Sequence, residues 1–157
     1  MSRKPLTIVI GADNAGYPLK EGLRAVLEPD ERVAAVIDLG VDSSADDLPY
    51  PHIGISAAQT VRSGKADRTL LCCCGTGIGV TISANKVQGI RTTVAHDSYS
   101  VERSVLSNNA QVLCFGARVI AAELAEKLTR KWLTHEFDEL SASAAKVALI
   151  DNCETAR

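Results

Sequence analysis

Hydrophobic positions along this chain alternate between two rhythms. Leu6 to Ala12 (LTIVIGA) is an unbroken apolar run rich in β-branched residues, the pattern of a strand covered on both faces, and it ends in a Gly/Asp/Asn turn. From Tyr17 to Leu27 the apolar residues return at helical spacing, at Leu19, Leu23, Val26 and Leu27, with Pro18 suited to a first helical turn. The pair of rhythms then repeats. A strand is predicted over 33–40, and after the polar loop VDSSADDLPYP a helix carries Ile53, Ala57 and Val61 on one face, with Gly64 as its stop. Further strands are predicted over 68–73, 90–96 and 110–116. The helices between them cover 80–87 and 98–106, and a last one within 119–133 puts Ile120, Leu124 and Leu128 on one face. An Ala-rich helical segment over 141–150 follows the final strand and is expected to pack on a partner subunit.

Alternation of this kind predicts an α/β fold, a three-layer sandwich with a mostly parallel five-stranded sheet and ligand sites at the carboxyl ends of the strands. At 157 residues the chain is one domain over 1–157. Only 4% of residues are aromatic and the net charge is −2, so there is neither a stacking platform nor a basic field for nucleic acid. No apolar run approaches the roughly 20 residues that cross a bilayer. The basic start MSRK runs straight into the first strand without a cleavage signature. Three of the five cysteines are consecutive, a poor disulfide framework because neighbouring strand residues face opposite ways. A cytoplasmic, reducing location is expected.

The chemistry concentrates in Cys74-Gly75-Thr76-Gly77-Ile78-Gly79, between the third strand and its helix. Three glycines let the backbone turn tightly and aim several N–H groups into a small space at a helix start, which is an anion cradle. A thiolate beside it would be stabilised by the same donors and could act as a general base. Aldose-ketose isomerisation needs this pairing, a base next to a carbonyl and a preorganised site for the enediolate oxygen. The spacing is neither the Gly-x-Gly-x-x-Gly dinucleotide fingerprint nor a P-loop. On pattern alone Cys74 is as compatible with a small buried residue as with a reactive one, and Cys72 and Cys73 read as core. No second ligand pair stands at metal-binding spacing.

Taken together, GADNAGYPLK, DLPYPHIG, CGTGIGVTISANKVQGIRT, HDSYS and SNNAQVLCFGARVI run nearly end to end. In this order they resemble the RpiB/LacAB family, the type B ribose-5-phosphate isomerases and galactose-6-phosphate isomerase subunits. The resemblance implies a Rossmann-like sandwich, a homodimer or dimer of dimers with both chains lining each site, and no cofactor or metal. It implies Cys74 as the catalytic base, the loop from Gly75 through Gly77 and Ile78 to Gly79 as the anion hole, and Thr76 as the residue that moves the oxygen-bound proton. Some relatives use an acidic base just after the loop, where this chain has Val80. By the same resemblance Asp13 binds sugar hydroxyls, Tyr50 lines the pocket, Asn108 contacts substrate and Arg118 lies near the phosphate. The alternative readings are Asp13 as the cap of its own turn, Tyr50 as an edge-of-core tyrosine and Arg118 as a solvated charge.

Two departures bear on the substrate. The ribose enzymes carry a histidine where this chain has Asn14, and a ring-opening histidine where it has Ser107. A serine hydroxyl is too weak an acid or base to replace imidazole at neutral pH. A tetrose 4-phosphate, with its fourth oxygen esterified, cannot close a furanose ring and needs no ring opening. The Asn14 and Ser107 pair resembles the branch of the family that interconverts D-erythrulose 4-phosphate and D-erythrose 4-phosphate. The alternatives are a ribose-5-phosphate isomerase in which another group such as His96 opens the ring, and a sugar-phosphate-binding module without turnover. Lys146, near the family's phosphate-binding arginines, is either a phosphate ligand or a surface lysine. His96 ends the fourth strand on the ligand side, while His52 and His135 are expected at the surface.

Overall fold

The computed structural model describes residues 3–155. Five strands, β1 (Leu6–Gly11), β2 (Val33–Asp38), β3 (Arg68–Leu71), β4 (Thr92–Val94) and β5 (Val112–Cys114), form one sheet in the order β2-β1-β3-β5-β4, and every pairing is parallel. The helices are α1 (Tyr17–Leu27), α2 (Tyr50–Arg62), α3 (Ile78–Ala84), α4 (Ser98–Leu106), α5 (Ala122–Thr134) and α6 (Ala144–Thr155). No helix among the described residues is long and apolar enough to cross a membrane.

Strand side chains alternate between two cores. Ile8, Ile10, Leu70 and Leu113 join Leu23 and Leu27 of α1, Val101 and Val105 of α4, and Leu128 and Trp132 of α5 on one face. On the other, Val9, Leu71, Val112 and Cys114 meet Ile53 and Ala57 of α2 with Val80 and Ala84 of α3. Cys72 and Cys73 divide between the two cores as expected for neighbours in an extended chain, and both are fully buried. Lys20 is also buried, on the Leu23/Leu27 stripe of α1. Its Nζ donates to Asp38 Oδ2 at 2.7 Å and to the Val41 carbonyl at 2.8 Å, tying α1 to the end of β2.

The buried face of α5 differs from expectation. Ile120 precedes the helix and Leu124 is exposed, while Ala125, Leu128, Trp132 and Leu133 point inward. The helix starts only at Ala122, after a turn, and that shift of phase rotates Leu124 away from the sheet. The last helix begins later and runs further than 141–150, burying Val147 and contacting the chain's own 89–91 segment through Arg91–Asp151 and the Gly89 N–H to Glu154. His135 is half-buried, not surface-solvated, and its Nε2 is shut away from water without a partner among the described residues.

β1 and β3 lie side by side, yet the chain leaves β1 toward β2 and leaves β3 toward the opposite edge. Their exits open the crevice where ligands bind in doubly wound sheets. The turns 12–16 and 72–77 meet there.

Candidate active site

Asp13, just past β1, is 8% exposed, and its carboxylate is spent on backbone. Both oxygens accept the Cys74 N–H at 2.9 Å, and Oδ1 also accepts from Gly16 at 3.1 Å. Cys74 sits at φ 53, in the left-handed region that non-glycine residues rarely occupy and that costs about 1–3 kcal/mol. A hydrogen bond to an ionised group contributes about 1.5–3 kcal/mol, enough to hold it there. Thus the cap reading of Asp13 holds through Gly16, and the same carboxylate also holds the cysteine.

Cys74 differs from its neighbours in exposure. Burial pushes the thiols of Cys72 and Cys73 well above the ordinary range and that of Cys114 up to about 12, so these three stay protonated and inert. Cys74 is half-buried just past β3, packed at the edge of the second core.

The loop after it rests on the exit of β5. Ala117 and Arg118 donate their N–H groups to the carbonyls of Cys74 (3.1 Å) and Gly75 (2.9 Å). A Cβ on Gly116 would lie 2.5 Å from the Thr76 carbonyl carbon, so only glycine permits this approach, and Gly77 turns the chain at φ 75. The N–H groups of Gly75, Thr76, Gly77 and Gly79 have no acceptor among the described residues, which leaves four backbone donors within five residues for an anion. The Thr76 hydroxyl accepts from Ile78 N at 3.3 Å and keeps its own proton to donate.

Other candidates surround this loop. Tyr50 opens α2 with its ring against Gly79, where an added Cβ would stand 2.6 Å from its hydroxyl. The Arg118 side chain covers Gly75. Asn14 is exposed beside Asp13. His96, past β4, accepts the Gly116 N–H through Nε2 at 2.8 Å.

Ser107 and Asn108 are elsewhere. They end α4 just before β5, at the amino-terminal edge of the sheet, whereas Cys74 follows β3 at the carboxyl edge. There Ser107 Oγ accepts from Arg103 Nη1 at 3.4 Å, and the Asn108 carbonyl accepts from Arg91 Nε at 3.1 Å. Lys146 is exposed on α6. One chain therefore places the two groups of candidate residues on opposite edges of the sheet. Gly116 and Arg103 were not singled out by sequence reasoning. The signal for Gly116 was a glycine closing the predicted strand over 110–116 and two residues before Arg118, while nothing local marks Arg103.

The Ribose/Galactose Isomerase family matches residues 8–150. D-erythrulose-4-phosphate isomerase 2 of Mycolicibacterium smegmatis is 61% identical over 142 residues, covering 90% of this chain and 93% of the relative. D-erythrulose-4-phosphate isomerase of Pectobacterium atrosepticum is 43% identical, covering 92% and 93%. Among solved structures, ribose-5-phosphate isomerase B of Clostridium thermocellum superposes with a TM-score of 0.88 at 37% identity, covering 96% of this chain and 98% of that one.

Proposed function

Since the chain belongs to the ribose/galactose isomerase family and is a sugar-phosphate aldose-ketose isomerase, we propose that it interconverts D-erythrulose 4-phosphate and D-erythrose 4-phosphate with Cys74 as the base. The observation that carries the mechanism is the pairing of a half-buried cysteine, held at φ 53, with four uncommitted loop N–H groups directly after it. In the ketose-to-aldose direction the Cys74 thiolate takes a proton from C1. The electron pair forms the C1–C2 double bond, and the C2 carbonyl becomes an oxyanion that the loop N–H groups hold. The thiol returns its proton to C2. Thr76 relays the hydroxyl proton from O1 to O2, leaving the C1 aldehyde.

The substrate reading draws on the names of the two relatives and on Ser107, which stands where ribose enzymes carry a ring-opening histidine. His96 is a poor substitute for that acid, because its Nε2 already accepts the Gly116 N–H. The placement of these groups on opposite edges supports a homodimer in which Ser107 and Asn108 of one copy reach the Cys74 crevice of the other. Ile78 and Ile82, 53% and 55% exposed on α3 beside the loop, give such a partner an apolar surface to cover. Five free cysteines fit a reducing, cytoplasmic setting. Turnover of D-erythrulose 4-phosphate against ribose 5-phosphate on one preparation tests the substrate. Faster turnover of the tetrose phosphate is expected, and equal or faster turnover of ribose 5-phosphate would refute the choice.

A further inference from the structure

His96 reaches the catalytic loop without touching it. The order β3-β5-β4 puts its strand exit two places from Cys74, with the exit of β5 between them. That exit is the bed of the loop. Ala117 and Arg118 bond the carbonyls of Cys74 and Gly75, and the Gly116 backbone presses on Thr76. A Cβ on Gly77 would likewise stand 3.1 Å from Gly116 N, the same nitrogen whose proton goes to His96 Nε2. Removing this one hydrogen bond would free the bed at the point where it meets the oxyanion donors.

We infer that His96 is a positioning residue, fixing Gly116 and through it the Thr76–Gly77 donors at the spot where enediolate charge develops. The role requires the neutral ring with its proton on Nδ1, because an imidazolium would set one N–H against another. Burial beside the Phe115 ring lowers the pKa of His96 and favours that form, and the nearby Asp97 carboxylate opposes the shift only in part. Asp97 itself caps α4 by accepting from Ser100 N at 2.8 Å. A positioning effect falls mainly on the transition state, so kcat carries it more than KM.

The inference rests on the isomerase reading above, and wild-type turnover in the same assay reports on that reading separately. His96→Leu removes the acceptor, while His96→Gln offers a carbonyl acceptor that does not titrate. With D-erythrulose 4-phosphate, His96→Leu is expected to lower kcat about tenfold to a hundredfold with KM moving less than about twofold. Binding of 3-phosphoglycerohydroxamate, a planar mimic of the enediolate, should weaken in parallel with kcat. His96→Gln should keep kcat within about threefold and lose the acid limb of the wild-type pH profile. Equal losses in both variants with a raised KM would mean that His96 touches substrate, and an unchanged kcat in His96→Leu would make it merely structural. Either result overturns the inference. If His96→Leu does not fold, a loss beyond about tenfold in His96→Gln does so as well.

Discussion

Asp13 gives both carboxylate oxygens to a single donor, the backbone N–H of Cys74, at 2.9 Å each. The bond joins the exits of β1 and β3 at the crevice and pins a non-glycine residue held at positive φ. Asp13→Asn would turn an amide N–H₂ toward one of the N–H groups now bound and halve the acceptor capacity. The variant should lose roughly 1–3 kcal/mol of stability and at least about tenfold in kcat, measured by thermal unfolding and steady-state turnover. A variant with normal stability and normal turnover would show that this bond does not hold the cysteine in place.

The proposed homodimer, with Cys74 from one copy and Asn108 from the other at each site, predicts complementation. Cys74→Ser and Asn108→Ala should each be nearly inactive alone, because every homodimer site then lacks one component. Mixed one to one and refolded together, half the dimers are hetero and one of their two sites is intact, so about a quarter of wild-type activity should return. No recovery would place the working site within one chain.

Restoring imidazole at Ser107 tests the acyclic-substrate argument. Ser107→His should leave D-erythrulose 4-phosphate turnover within about twofold and raise ribose 5-phosphate turnover by about tenfold or more, in line with a gained general acid. Competition between the two substrates on the same preparation measures this. An unchanged rate on ribose 5-phosphate would leave the missing histidine irrelevant to specificity.

Burial lowers the pKa of His96 and His135 below the ordinary 6.5. The folded protein therefore binds fewer protons than the unfolded chain in this range, and stability rises with pH. The contribution is complete above pH 6.5 and is lost as pH falls through the folded-state values. Thermal midpoints should decline between roughly pH 7 and pH 5, before carboxylates such as Asp30, held at about 2 by Arg32, begin to protonate. His96→Gln should remove part of that decline. A flat profile in this interval would contradict the lowered pKa of these two half-buried histidines.

Much of this was legible in the chain. Helices over 17–27 and 98–106 begin and end where their patterning and Pro18 put them, because local propensity and burial agree there. Strands read too long at their carboxyl ends. Cys72, Cys73, Ala95 and Phe115 continue the apolar runs but leave the ladder, since they stay buried in the two cores after the strand pairing ends. Lys20 was overlooked even though it lies three and seven residues before Leu23 and Leu27 on one helical stripe. The His96–Gly116 bond depends on strand order, which periodicity does not encode, whereas the opposite placement of Ser107 and Cys74 follows from a parallel sheet with one before β5 and the other after β3.

Proton transfer by Cys74 is tested most directly by incubating D-erythrulose 4-phosphate in deuterated water with wild type and with Cys74→Ser, following deuterium entry at the reacting carbons by NMR. Wild type should exchange and isomerise, while Cys74→Ser, with its backbone bond to Asp13 intact, should fold normally and lose at least about a hundredfold in both rates. Exchange in Cys74→Ser at a rate near that of wild type would remove Cys74 from the proton transfer.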